Sequence, residues 1–173
     1  MKLAYKEIPS PVGKLKLVAT DDALVAVLWP GDNPKQLGLD VQKVGNGNHP
    51  VLSETERQLS EYFAGKRTRF ELPLDPRGTT FQKKVWQSLK KIPFGKTQTY
   101  LDIAKAIGAP RASRAVGGAT GRNPLSIVVP CHRVIGSDGT LTGFGGGLPT
   151  KAKLLALEGH AAGRGVEKQR TLF

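Results

Sequence analysis

Residues Thr99–Gly121 read TYLDIAKAIGAPRASRAVGGATG, and their reading decides the fold of the second half of the chain. Thr99 is a capping residue, and Ile103, Ala104 and Ile107 follow at helical spacing. This predicts a short helix over Tyr100–Ile107 with Gly108 just past its end. After APRA, the run ASRAVGGAT predicts a second helix made mostly of small residues. Two short helices joined by a glycine-containing turn of about four residues fit a helix-turn-helix. Such pairs also occur as plain packing units, so the pair alone leaves DNA binding open.

The second helix is almost bare, with Ala112, Ala115, Gly117, Gly118 and Ala119 along it. A helix that reads a major groove needs long polar side chains at its N-terminal end. This one offers chiefly Arg111, Ser113 and Arg114. A bare helix lets the backbone approach a phosphodiester strand or a narrow groove, with Arg114 the one long side chain able to enter a duplex. That favours recognition of shape or damage over sequence reading. Close helix–helix packing would also explain the small residues.

Upstream, Thr79-x-x-Gln82 is a capping box, and Phe81, Val85, Leu89 and Ile92 form an apolar stripe that Pro93 ends. The first half reads differently. KLAYKEI, KLKLVAT and ALVAVLW are β-prone runs separated by turn residues, which predicts an antiparallel meander. Residues 31–50, rich in Gly, Asn and Pro, predict a loop with at most one helical turn. Ser53-x-x-Glu56 predicts the start of a helix carrying Leu59, Tyr62 and Phe63, with Gly65 as its stop; FELPLD is a candidate further strand and DPRG a domain junction.

The charge divides at the same junction. Residues 1–75 hold 10 Lys/Arg and 10 Asp/Glu, whereas residues 76–173 hold 16 and 4, so the whole net charge of +12 lies in the second half. A basic half beside a neutral half points to a polyanion partner held by one half only, with a merely soluble basic surface as the alternative. The N-terminus has no apolar core of a secretory signal, and the longest apolar run, Ala23–Trp29, is too short to span a membrane. A single cysteine fits a reducing compartment, and the cytoplasm is expected.

That cysteine, Cys131, lies in VPCHRV beside His132, after the β-branched run Ile127–Val129 that Pro130 ends. The run predicts a short buried strand. A buried structural thiol and a nucleophile both fit this placement. Neighbours on a helix or strand point in different directions, so His132 would reach Cys131 through a bridging water. The imidazole then needs a carboxylate to fix its tautomer. The predicted helix TKAKLLALEG sets Glu158 on one face with Leu154 and Leu155, where an unpaired charge is costly. Its partner is Lys151 on the same face, or His132. The three histidines, at 49, 132 and 160, are not at zinc-ligand spacing. Thr142–Gly147, TGFGGG, is a flexible turn or a close-fitting pocket wall carrying Phe144.

NPLSIVVPCHRVIG, with SRAVGGATGRNP before it and TGFGGG and KLLALEGH after it, resembles the O6-alkylguanine-DNA alkyltransferases, the methylated-DNA–protein-cysteine methyltransferases. SPVG and EYFAG in the first half look like that family's N-terminal domain. The resemblance implies an α/β (α+β) fold of two small domains. Residues 1–75 would be an RNase H-like antiparallel sheet with a helix, and 76–160 a mainly helical DNA-binding and alkyl-acceptor domain with a helix-turn-helix. Residues 161–173 would be a mobile tail. It also implies irreversible, stoichiometric transfer of an alkyl group from O6-alkylguanine, and from O4-alkylthymine, after base flipping.

Carried over by position, Cys131 is the alkyl acceptor, His132 a base acting through water, and Glu158 the group that orients His132. Asn123 is a hinge, and Tyr100 rotates the target phosphate and gives a proton to the guanine. Arg114 fills the gap left by the flipped base, and Arg111, Ala115, Gly117 and Arg122 complete the DNA-binding set. Pro130, Val134, Phe144, Gly145 and Gly146 line the base pocket, Gly145 and Val134 through their backbones. The implied partner is double-stranded DNA carrying O6-alkylguanine, bound by a monomer with no cofactor, no metal, no membrane and no obligate protein partner. Relatives often carry Tyr at the position of Phe144 and Ser or Ala at that of Gly145, which bears on pocket tightness. Three rivals remain: a damage-flagging binding module, a helix-turn-helix regulator and a Cys-His hydrolase.

Overall fold

The structure, a computed structural model, describes residues 3–43 and 49–160; the expected tail at 161–173 lies outside them. The chain divides into two compact units, split between Arg77 and Gly78. No helix among the described residues is long and apolar enough to cross a membrane.

The first unit contains the expected meander. Strands β1 (Leu3–Ile8), β2 (Leu15–Ala19) and β3 (Leu24–Leu28) pair antiparallel, Ala4 with Ala19 and Lys16 with Leu28. Gly13 closes the first turn at φ +103°, and a Cβ there would meet Pro30 Cγ at 2.9 Å. A fourth strand, β4 (Val41–Lys43), runs parallel to β1 and gives the order β3-β2-β1-β4. Within the predicted loop over 31–50, the helical turn is the 3-10 turn Pro34–Leu37, and the loop is corrected at Val41–Lys43, because three residues carry too little pattern to reveal a strand and only the pairing with β1 defines it.

Helix α1 (Pro50–Phe63) starts three residues before Ser53. Pro50 needs no hydrogen-bond acceptor at the first helical position, and Nδ1 of His49 accepts the N–H of Leu52 at 3.3 Å. The N–H of Ser53 is already bonded to the carbonyl of His49 at 2.9 Å, so Ser53 lies inside the helix and does not cap it. Val51, Leu52, Thr55, Gln58, Leu59 and Tyr62 form its buried side. FELPLD is not a full strand. Gln58 takes both backbone groups of Glu71 (2.9 and 3.1 Å), and only Leu24 bridges to Leu74, with the N–H of Leu24 on Pro73 at 2.8 Å. This segment covers the edge of β3, whose five residues are all buried.

The second unit is mainly helical: α2 (Thr80–Leu89), α3 (Tyr100–Ala106), α4 (Ser113–Gly121) and α5 (Leu148–Leu157). The predicted capping box of Thr79 with Gln82 is made, and Thr99, predicted as a cap, forms a second box with Asp102. Val85, Trp86 and Leu89 turn inward from α2, and Nε1 of Trp86 donates to the carbonyl of Ala119 in α4 at 2.8 Å. The pair α3–α4 forms the expected helix-turn-helix, with Ile103, Ala104, Val116 and Ala119 buried. Strands β5 (Gln98–Thr99) and β6 (Val134–Ile135) pair in parallel, Gln98 with Val134 and Thr99 with Ile135. This ladder sets the start of α3 beside the segment that leaves VPCHRV.

The predicted strand Ile127–Val129 is absent. Ile127 adopts φ +73°, and the N–H of Val128 returns to the carbonyl of Ser126 at 2.9 Å, a γ-turn. Pro130 (φ −80°, ψ 67°) makes a second tight bend, with the N–H of Cys131 on the carbonyl of Val129 at 2.8 Å. The β-branched run is buried because it is a folded loop inside the unit, pinned by an isolated bridge between Ser126 and Val129.

Candidate active site

Residues Cys131–Arg133 form a single 3-10 turn between these bends and β6. All three side chains are buried, and His132 has no exposed surface. Asn123 ties the preceding loop together: its Oδ1 accepts the N–H of Leu125 at 3.0 Å, and its Nδ2 donates to the carbonyl of Val129 at 2.9 Å. Burial pushes the Cys131 thiol above its usual pKa. A hydrogen bond from Asn123, the charge of Lys151 and the local backbone N–H groups pull against that. The resting thiol is therefore protonated at neutral pH and needs a base to react.

The last turn of α5 supplies the carboxylate. Oε2 of Glu158 lies 2.7 Å from Nε2 of His132. Arg133 grips the same carboxylate side-on, Nε to Oε1 at 2.8 Å and Nη2 to Oε2 at 3.1 Å, and the N–H of Gly95 donates to Oε1 at 3.3 Å. Arg133 is anchored in turn by Nη1 on the carbonyl of Ile92 at 2.6 Å, with its guanidinium over the ring of Phe94. Burial pushes the Glu158 carboxyl up, but the hydrogen bonds and charges of His132 and Arg133 outweigh it and hold the pKa at about 2. Burial lowers the His132 pKa against the opposing pull of Glu158. A neutral imidazole facing an ionised carboxylate donates from Nε2 and keeps its lone pair on Nδ1. Nδ1 is buried and has no hydrogen-bond partner among the described residues.

Sequence reasoning named Lys151 as a rival partner of Glu158. Its Nζ instead donates to the carbonyl of Thr142 at 2.8 Å. Burial pulls its pKa down to about 8, against the upward pull that an ionised Cys131 exerts on it. Tyr100, half-buried at the start of α3, meets the same residue: its hydroxyl lies 3.4 Å from the Thr142 carbonyl and accepts from Thr142 Oγ1 at 3.2 Å. Tyr100 and Lys151 thus converge on one backbone carbonyl. Arg133, Lys151 and Thr142 are the residues that sequence reasoning left out of the site. Arg133 had a signal, since a buried carboxylate facing only a neutral imidazole still needs a cation.

The remaining predicted residues lie around this centre in two groups. Pro130 and Val134 are buried on either side of the 3-10 turn; Phe144 and Gly146 are half-buried and Gly145 is exposed in the loop that begins at Thr142. Arg111, Arg114, Ala115 and Arg122 are exposed on and beside α4. Gly117 faces Tyr100, where a Cβ would sit 3.8 Å from the ring; Gly118 faces open space. Among the described residues no group of three or more His, Cys, Asp or Glu could hold a metal ion.

Comparison with known proteins agrees with this architecture. Residues 3–76 match the family described as 6-O-methylguanine DNA methyltransferase, ribonuclease-like domain, and residues 80–160 match its DNA binding domain. A Methylated-DNA--protein-cysteine methyltransferase of Methanosarcina acetivorans is 47% identical over 155 residues, covering 90% of this chain and 97% of that protein. One of Mycobacterium leprae is 56% identical over 157 residues, covering 90% and 92%. The crystal structure of Mycobacterium tuberculosis OGT in complex with DNA superposes with a TM-score of 0.81 at 42% identity, over 91% of this chain and 92% of that one. With both halves matched and the identity sustained across nine-tenths of its length, the chain belongs to the 6-O-methylguanine DNA methyltransferase family.

Proposed function

We propose that the chain reverses DNA alkylation by moving an alkyl group from O6 of guanine, and from O4 of thymine, onto Sγ of Cys131. The observation that carries this reading is the buried pairing of Glu158 with His132, which leaves Nδ1 of the imidazole one residue from the chain's only thiol.

The base must first leave the stack, at a cost of a few kcal/mol. Arg114, exposed at the N-terminal end of α4, fills the space it vacates. The bare outer side of α4, Ala115 with Gly118, allows close approach of the duplex, and Arg111 and Arg122 hold phosphates. Gly117 keeps α4 close to Tyr100. The base enters between the loop Phe144–Gly146 and the Pro130–Val134 segment, with Gly145 and Val134 offering backbone groups.

A water between Sγ and Nδ1 carries the thiol proton to His132, and the Glu158 carboxylate stabilises the imidazolium. The sulfur lone pair attacks the alkyl carbon in line. The S–C bond forms as the C–O6 bond breaks, and that pair of electrons leaves with O6. The Tyr100 hydroxyl gives the guanine ring its proton, so the base departs neutral. The Lys151 ammonium favours the thiolate over the thiol. The thioether has no nucleophile in reach to cleave it, so each molecule reacts once. The protein acts as a monomer on cytoplasmic DNA, without metal, cofactor or obligate protein partner, and residues 1–75 serve as a structural domain.

Mass spectrometry of the protein after incubation with an O6-methylguanine duplex tests this. A gain of one methyl group on the peptide containing Cys131 is expected, and Cys131→Ser should abolish it while leaving DNA binding intact. Tight binding without any gain of mass would overturn transfer in favour of a damage-flagging role.

A further inference from the structure

We propose that the outer face of α2 is a second DNA-contact surface, which holds a duplex segment other than the one on α4. At about 100° per residue, Lys84 and Gln87 lie opposite the buried side of α2 formed by Val85, Trp86 and Leu89, and Lys83 and Lys90 flank them. Lys90 keeps helical dihedrals (φ −59°, ψ −23°), so Lys91 continues the same side. All four lysines are exposed, and none makes an ion pair among the described residues.

Nothing nearby in the sequence neutralises them. Residues 78–160 contain three carboxylates, and each is already occupied. Asp102 accepts the N–H of Thr99 at the cap of α3, Asp138 accepts from Thr140, and Glu158 is buried on His132 and Arg133. The face also lacks an apolar anchor, since the large exposed hydrophobics are Leu37, Leu101, Leu148 and Leu157. A protein partner would want such an anchor at the centre of its interface. Bare ammonium groups along a helix suit a rod of phosphates, which they hold as point charges regardless of sequence.

The face is assigned a duplex segment of its own. Trp86 bonds to Ala119, so the inner sides of α2 and α4 abut, and their outer sides point away from that common plane. On α4, Arg114 and Gly118 sit opposite the buried Val116 and Ala119, and on α2 Lys84 and Lys91 sit opposite the buried Val85 and Leu89. A domain with two such faces passes directly from one DNA segment to another during a search, without a free intermediate. This requires DNA binding only and does not depend on alkyl transfer.

The test uses the full chain pre-bound to a labelled undamaged duplex and chased with rising concentrations of unlabelled duplex. The release rate should climb severalfold as the chase concentration rises. K83Q/K84Q/K90Q/K91Q should make the rate independent of the chase, and each half, K83Q/K84Q or K90Q/K91Q, should reduce the dependence. A control that removes the same charge from the first unit, K14Q/K35Q/K66Q/R69Q, should keep the climb, with circular dichroism checking that every variant is folded. A flat response in the unaltered protein, or equal loss in the control, would overturn the second face.

Discussion

Nε2 of His132 lies 2.7 Å from Oε2 of Glu158, and neither side chain has any exposed surface. Arg133 closes on the other flank of the same carboxylate at 2.8 Å. One acid therefore serves two partners with different jobs: it neutralises a guanidinium and fixes the tautomer of an imidazole. The site's chemistry and the domain's stability consequently share an anchor.

Glu158→Gln keeps the volume and removes the charge. Arg133 stays buried without its counter-ion, so stability should fall by about 3 kcal/mol, read from the urea midpoint. Single-turnover transfer from a methylated duplex should slow by about 10²-fold or more, because the general base loses its orienting charge. Loss of rate with no loss of stability would contradict the shared anchor.

Acid should destabilise the protein in two steps. Burial lowers the His132 pKa below its unfolded value of 6.5, so below that pH the unfolded chain binds more protons than the folded one. Stability is fully present above pH 6.5 and is lost as the pH drops. Glu158, at about 2 in the folded state against 4.5 unfolded, adds a second loss as the pH falls from 4.5 towards 2. Urea midpoints across this range should show both, and His132→Gln should remove the first.

Lys151→Met separates stability from reactivity. The ammonium is pulled from 10.5 down to about 8 by burial, so at neutral pH it is held against that cost. The variant should melt no earlier than the parent. The thiolate loses its nearby cation, and a thiol pKa higher by one unit slows transfer about tenfold at neutral pH. A stopped-flow transfer rate beside a melting curve reads both.

Arg114→Ala should slow repair of a duplex by about tenfold or more and leave reaction with the free methylated base nearly unchanged, because only the duplex has to be opened. Equal losses on the two substrates would refute a role in filling the gap.

Gly118→Ala tests the bare helix. Gly118 faces open space, so the added methyl meets nothing in the protein, and the helix should gain about 0.5–1 kcal/mol. Affinity for undamaged duplex should nevertheless fall if α4 needs its bare side for close approach. A more stable variant with undiminished affinity would assign the small residues to packing.

Local signals made parts of this molecule legible in advance. The caps of α2 and α3 rest on hydrogen bonds between residues three apart, so Thr79, Gln82 and Thr99 announce them, and Asp102 completes the second box. The same logic misled at α1, where Ser53 and Glu56 form a plausible box and the real cap is an imidazole, His49, followed by a proline. The short strands β4, β5 and β6 are defined by partners distant in sequence. That Glu158 needs a buried partner was legible because it is a charge on an apolar stripe, which left Lys151 and His132 as candidates, and the resemblance pointed to His132. The destination of Lys151, a carbonyl in the loop at Thr142, depends on a loop path that periodicity does not encode.

Ile127 was the least legible residue, since a β-branched side chain is the last expected at φ +73°. Left-handed backbone costs such a residue about 1–2 kcal/mol, while burying its side chain returns about 2–3 kcal/mol. The bend four residues before Cys131 is thus held by ballast rather than by the grain of the chain. Hollow out the interior beneath Ile127 and the turn would spring towards ordinary backbone, carrying the thiol off its mark with every residue of the site unchanged.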